Sequence, residues 1–172
     1  MRAGRPLRYA NAMSEPAANH EPTVVDENRY GPGPWVGEPD RLEWRYLGLP
    51  CLMVRNVEMG NWCGYVAVPP GHPWHGKTDD ALDVEVHWGL SYTARCAGHI
   101  CHVPEPGEPD DVWWLGFDCG HAYDVMPFTA KRFGAYAVLE AAGLPATRYR
   151  DVAFVRAECE KLADQVLAAA NS

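Results

Sequence analysis

Asp118, Cys119, His121 and Asp124 fall within seven residues of one another, directly after the apolar run 112–117. A carboxylate, a thiol, an imidazole and a second carboxylate at this spacing support three kinds of chemistry. One is proton transfer between carboxylate and imidazole. A second is ligation of a divalent ion by Asp118, His121 and Asp124, and a third is hydrogen-bonded recognition of a polar ligand. A blander arrangement also fits, with Asp118 capping a turn and His121 solvated. Nucleophilic attack by Cys119 is disfavoured, since alternation along a strand turns its sulfur to the same side as Leu115 and Phe117.

Two further groups join this list. His72 and His75 stand three apart in Gly71-His72-Pro73-Trp74-His75-Gly76-Lys77, a tight loop that can turn both imidazoles to one cleft. Asp83, Glu85 and His87 alternate with Leu82, Val84, Val86 and Trp88, which puts them on one strand face. Their spacing of roughly 7 Å is too wide to chelate one ion but suits the lining of a groove. Cys96, His99, Cys101 and His102 have part of a zinc spacing but lack the second paired knuckle. No phosphate-loop, dinucleotide or nucleophile-elbow signature is present.

These residues need a scaffold, and hydrophobic periodicity supplies one. Strand patterns run over 45–54, interrupted by Pro50, and over 62–68, 82–90 and 112–119. Helix patterns run over 130–142 and 148–170. In the second, Val152, Val155, Cys159, Leu162 and Val166 step by three and four to form one apolar stripe. The expected fold is α+β, a mainly antiparallel sheet packed by one or two C-terminal helices. Residues 1–40, rich in Pro and Gly, are expected to be a flexible tail or a strap that Trp35 anchors. Residues 41–172 are expected to form a single α+β domain. Met13 opens Met-Ser-Glu-Pro, which resembles a natural translation start, so either Met1 or Met13 can begin the chain.

Composition narrows the function classes. Of 172 residues 47% are hydrophobic, enough for a core, and the formal charge of −8 argues against binding a long nucleic acid. No run reaches the roughly 18–20 apolar residues that span a bilayer, so no membrane partner is expected and the protein is placed in the cytoplasm. Six cysteines scattered through apolar segments are expected as reduced core thiols.

Three stretches together resemble an uncharacterised family of small proteins frequent in actinobacterial bacteriophages and prophages. They are Gly64-Tyr65-Val66-Ala67-Val68-Pro69-Pro70-Gly71-His72-Pro73-Trp74-His75-Gly76-Lys77, Val86-His87-Trp88-Gly89-Leu90-Ser91-Tyr92 and Trp113-Trp114-Leu115-Gly116-Phe117-Asp118-Cys119-Gly120-His121. The resemblance resumes from Tyr149-Arg150-Asp151 to Leu162. This chain departs from the family pattern where Trp88 and Tyr123 occupy two small positions, which narrows or reshapes any cleft there. The resemblance implies an accessory role in the host cytoplasm and names no activity or cofactor.

Together these readings place a small polar, nucleotide-like ligand in a cleft lined by His72, His75, Asp83, His87, Trp114, Asp118 and His121. A divalent metal held by Asp118, His121 and Asp124, serving hydrolysis, is the alternative. A host protein bound by the same fold is the third.

Overall fold

A computed structural model describes residues 23–133 and 148–171. Five strands form one sheet: β1 (Arg41–Tyr46), β2 (Leu49–Arg55), β3 (Trp62–Val68), β4 (Tyr92–Arg95) and β5 (Trp113–Asp118). Their order is β1-β2-β3-β5-β4 and every neighbouring pair is antiparallel. Helices α1 (Glu27–Tyr30), α2 (Pro127–Phe133) and α3 (Val152–Ala169) complete the described elements, with a 3-10 turn at Asp79–Ala81. The α+β expectation, an antiparallel sheet packed by a C-terminal helix, is met.

The strand pattern over 45–54, which suits one or two short strands, is two strands of a hairpin. Leu47 and Gly48 both take positive φ, 48° and 87°, as a tight two-residue turn requires. Pro50 is tolerated because the β2–β3 ladder begins at Cys51↔Val66, one residue beyond it.

The sheet separates two apolar layers. On one face, Val155, Cys159, Leu162 and Val166 of α3 are fully buried against Met53, Val66, Leu115 and Phe117. Each such side chain contributes about 1.5–3 kcal/mol by leaving water. Gly64 permits the close approach, since a Cβ there would meet the Cys159 sulfur at 2.6 Å. On the other face, Ile100 and Val112 pack on Leu52, Tyr65, Ala67 and Trp114.

Two expectations are corrected, and one of two alternatives for the N-terminal segment is found. Residues 82–90 are not a strand. Burial alternates only as far as Val86, and the chain then turns through Trp88 and Gly89 at φ 56° and 87°. The segment runs along α3, whose side chains stand in for a ladder. Gln165 bonds both the N–H and the C=O of Glu85, and Glu158 accepts from the N–H of His87.

Of the tail and the strap expected as alternatives for residues 1–40, the part from residue 23 is a packed strap. Val25, Tyr30 and Trp35 are buried together, and Glu38 meets Arg55 at 2.7 Å. Pro and Gly fix its turns while these side chains anchor it. Residues 1–22, including the alternative start at Met13, lie outside the described residues, as does most of the helix expected over 130–142.

Nor are all six cysteines reduced core thiols. Cys96 and Cys101 form a disulfide with Cα atoms 4.8 Å apart. Neither lies in the core; they flank a small loop closed by paired Ala97 and Ile100.

Candidate functional site

Three segments converge beside the N-terminal half of α3. The turn 86–89 brings His87 and Trp88. The end of β5 brings Asp118, and the loop after it brings His121, Tyr123 and Asp124. The approach to α3 brings Arg150 and Phe154.

The loop after β5 is held by its own polar groups. Asp118 accepts from the N–H of Gly120 at 2.9 Å, and Asp124 Oδ2 accepts from the N–H of His121 at 3.2 Å. A parallel bridge joins Asp124 to Arg148, with hydrogen bonds from Arg148 to Tyr123 and from Val125 to Arg148. That bridge aims Arg150 back at the loop.

Asp124 is the hub. Its side chain is completely buried, with Arg150 Nε at 2.8 Å from Oδ1 and His87 Nε2 at 2.8 Å from Oδ2. A buried carboxylate is tolerated only when paired in this way. The Arg150 guanidinium also lies 4.7 Å over the Phe154 ring. The His87 ring meets Phe154 edge-on at 5.2 Å, which fixes its plane. Facing a carboxylate, Nε2 carries the proton, so in the neutral ring Nδ1 presents a lone pair. Among the described residues Nδ1 has no hydrogen-bond partner.

His121 completes the cluster. Its ring lies 6.0 Å from that of His87, and its Nε2 lies 3.6 Å from Asp118 Oδ1, too far for a hydrogen bond. That nitrogen is buried and has no hydrogen-bond partner among the described residues. Trp88 covers the ring at 5.6 Å with planes inclined by 32°. Trp88 and Tyr123 are 60% and 55% exposed, and both hold positive φ, 56° and 75°. Glycine is the residue that adopts such a backbone freely.

Of the expected ligand-lining residues, His87, Asp118 and His121 come together, with Asp124 beside them. The other four do not. His72 has both ring nitrogens engaged, Nε2 with the C=O of Val166 and Nδ1 with the N–H of Trp74. It ties the loop 69–77 to α3. His75 bonds the C=O of Asp111 and leans on Trp113, so it braces the start of β5. Asp83 is exposed, on a segment that is not the expected strand. Trp114 is fully buried in the layer on the opposite face of the sheet.

The metal reading does not fit this geometry. Both oxygens of Asp124 are taken, one by a guanidinium that would repel a divalent ion. Among the described residues no three His, Cys, Asp or Glu side chains are placed to hold one. The partial zinc spacing at 96–102 is likewise accounted for, because its two cysteines are bonded to each other.

The sequence reading missed Arg150, Phe154 and Glu158 as parts of the site. Arg150 and Phe154 lie in the resumed stretch 149–162, but nothing in that stretch says which atoms it meets. Trp88 was assigned to the core face and is instead presented outward.

Burial raises every unpaired thiol near the sheet: Cys51 to about 12 and Cys63 to about 11, with Cys119 and Cys159 also pushed up. None of these is an activated nucleophile.

No described helix is long and apolar enough to cross a membrane. Comparison with known protein families, curated proteins and solved structures finds no match to this chain.

Proposed function

We propose that this chain binds a small planar polar ligand, a nucleobase or nucleoside, on the surface formed by Trp88, His121 and Asp118. The carrying observation is Trp88. It is an exposed indole in a backbone conformation that disfavours side chains, laid against an imidazole whose Nε2 is buried with no hydrogen-bond partner among the described residues. Strained positions that present a side chain outward are characteristic of sites rather than of cores.

Stacking of a base on an aromatic ring contributes about 1–3 kcal/mol. Asp118, a third exposed, has an Oδ2 without a partner among the described residues. A carboxylate accepts hydrogen bonds only, so it selects a base edge that presents N–H donors, as guanine does, over one that presents acceptors. Tyr123 adds a second exposed ring on the same loop. In the phage setting that the sequence motifs suggest, such a protein captures a small host molecule.

Calorimetric titration against nucleobases, nucleosides and nucleotides is the direct test. A saturable one-to-one heat, strongest for guanine-bearing compounds and accompanied by a change in tryptophan fluorescence, supports the reading. Absence of heat across the panel at millimolar ligand removes it.

The His87–Asp124 pair favours a second reading. A carboxylate that orients an imidazole leaves the opposite nitrogen poised as a general base. Conversion of the bound ligand, lost in His87→Gln while binding persists, would mark an acid–base enzyme. A ligand recovered unchanged marks a binding protein.

A further inference from the structure

The β3–β5 ladder pairs Cys63 with Asp118, and one step further the N–H of Cys119 donates to the C=O of Trp62. The same register sets Asn61 opposite Gly120, and alternation turns both to the face that carries Asp118. We propose that Asn61 and Asp118 together read the Watson–Crick edge of a guanine base in the space over Gly120. The inference rests on the nucleobase reading of the Trp88–Asp118 surface and narrows it to one base.

Asn61 is the first ground. It is 5% exposed and its carboxamide has no hydrogen-bond partner among the described residues, yet neither amide atom is fully enclosed. A buried amide without partners costs free energy unless something arrives to meet it. Its backbone is held in place, since its C=O accepts from the N–H of Asn56 at 2.8 Å.

Gly120 is the second ground. A Cβ there would stand 3.1 Å from Asp118 Oδ1 and 3.3 Å from Asn61 Nδ2. A carboxylate oxygen and an amide nitrogen thus flank one spot that glycine leaves open. No hydrogen bond joins the two side chains among the described residues, so both keep capacity for a ligand.

The order of the groups selects the base. Asn61 Nδ2 donates. Asp118 Oδ1 gives one lone pair to the N–H of Gly120 and keeps another, and Oδ2 accepts as well. Donor, acceptor, acceptor is the complement of O6, N1–H and the 2-amino group of guanine. Adenine, cytosine and uracil present other orders, each of which sets like groups against one another. Bases outside a duplex are read at this edge while an aromatic ring takes the flat face.

The test titrates the full chain with guanosine, adenosine and 6-thioguanosine, which keeps N1–H and the 2-amino group but replaces O6 by a weak acceptor. Guanosine should bind more tightly than adenosine. It should also bind about three- to tenfold more tightly than 6-thioguanosine, the worth of one hydrogen bond. Asn61→Ala removes an amide that bonds nothing in the free protein, so it should fold, as a melting curve checks. It should weaken guanosine by that same factor and leave 6-thioguanosine nearly unchanged, a split that a merely structural role would not produce. Should the variant unfold, the comparison of the three nucleosides in the parent protein decides alone. If no nucleoside binds, the nucleobase reading falls and this inference with it. If nucleosides bind but guanosine has no advantage over the other two, only this inference is overturned. The same holds if folded Asn61→Ala distinguishes guanosine from 6-thioguanosine as well as the parent does.

Discussion

Trp88 lies over His121 with ring centroids 5.6 Å apart, and it does so from a backbone φ of 56°. That conformation costs a side-chain-bearing residue about 1–2 kcal/mol relative to a right-handed one. With 60% of the residue still exposed, burial recovers only part of that cost. Stability and binding should therefore separate at this position. Trp88→Gly should melt at the same temperature as the parent or higher, because glycine accepts the turn without strain. Its affinity for a nucleobase ligand should fall about tenfold or more, the worth of one stacking surface. A variant that unfolds while the remaining folded fraction binds normally would make Trp88 a packing residue.

The two carboxylates at the end of β5 and in the loop after it should behave in opposite ways. Asp118 is a third exposed and supports one backbone N–H. Asp118→Asn keeps that acceptor, so urea unfolding should change by no more than about 0.5 kcal/mol while ligand affinity drops. Asp124→Ala strips the partner from Arg150, from His87 and from the N–H of His121. Its cost should approach the roughly 3–5 kcal/mol of a broken buried pair. Cys119→Ser should cost about 1–3 kcal/mol, since it puts a hydroxyl into a site that is 1% exposed. A large loss of stability in Asp118→Asn would make that carboxylate a structural cap.

The core of this fold was legible because its periodicities are clean. The stripe Val155, Cys159, Leu162 and Val166 is buried as the three-and-four spacing requires. Phe117 and Cys119 face the same layer as alternation demands. His121 does lie near His87, but not through neighbouring strands as alternation suggested, since 82–90 runs along α3 and β5 lies between β3 and β4. Alternation misled at residues 82–90 for a definite reason. It reports which face is buried, and the segment does bury one face, but against a helix whose Gln165 and Glu158 satisfy its backbone. Short β4 was missed because four residues, Tyr92–Arg95, carry too little pattern. The N-terminal segment stayed open between tail and strap because Pro and Gly outnumber its anchors, of which Trp35 alone stood out in the sequence. Arg150 escaped because a guanidinium near a helix start says nothing about which carboxylate it meets.

Stability should fall steeply in alkali. Burial holds the Cys51 thiol at about 12 and Cys63 at about 11, against an ordinary value near 9. Above pH 9 the unfolded chain ionises these thiols and the folded chain does not, so the unfolded state binds fewer protons. The stabilisation is complete below pH 9 and is lost as pH rises through the folded values. Each thiol contributes a slope of about 1.4 kcal/mol per pH unit in that window. Urea midpoints should be level to about pH 9 and then decline, less steeply in Cys63→Ala. In native protein the four unpaired thiols should resist alkylation that proceeds readily in urea. Rapid native labelling of Cys63 would show a thiolate that burial should forbid.

The strap carries the sharpest test of where the domain begins. Glu38 Oε2 accepts from Arg55 Nη2 at 2.7 Å, from Trp62 Nε1 at 3.2 Å and from the Tyr149 hydroxyl at 2.5 Å. Arg55 has none of its side chain exposed, and its guanidinium lies 4.2 Å over the Trp62 ring. One carboxylate thus neutralises a buried cation and ties the strap, β2, β3 and the approach to α3 at a single point. Glu38→Gln keeps the volume and removes the charge, so it should cost about 3–5 kcal/mol. Deletion of residues 1–40 removes Glu38 together with Val25, Tyr30 and Trp35, and should leave no cooperative unfolding transition. Because Tyr149 stands one residue before Arg150, the loss should reach the ligand site. Glu38→Gln at a urea concentration where it stays folded should also bind ligand more weakly. A 41–172 fragment that unfolds cooperatively and binds like the full chain would return residues 23–40 to the status of a separable tail.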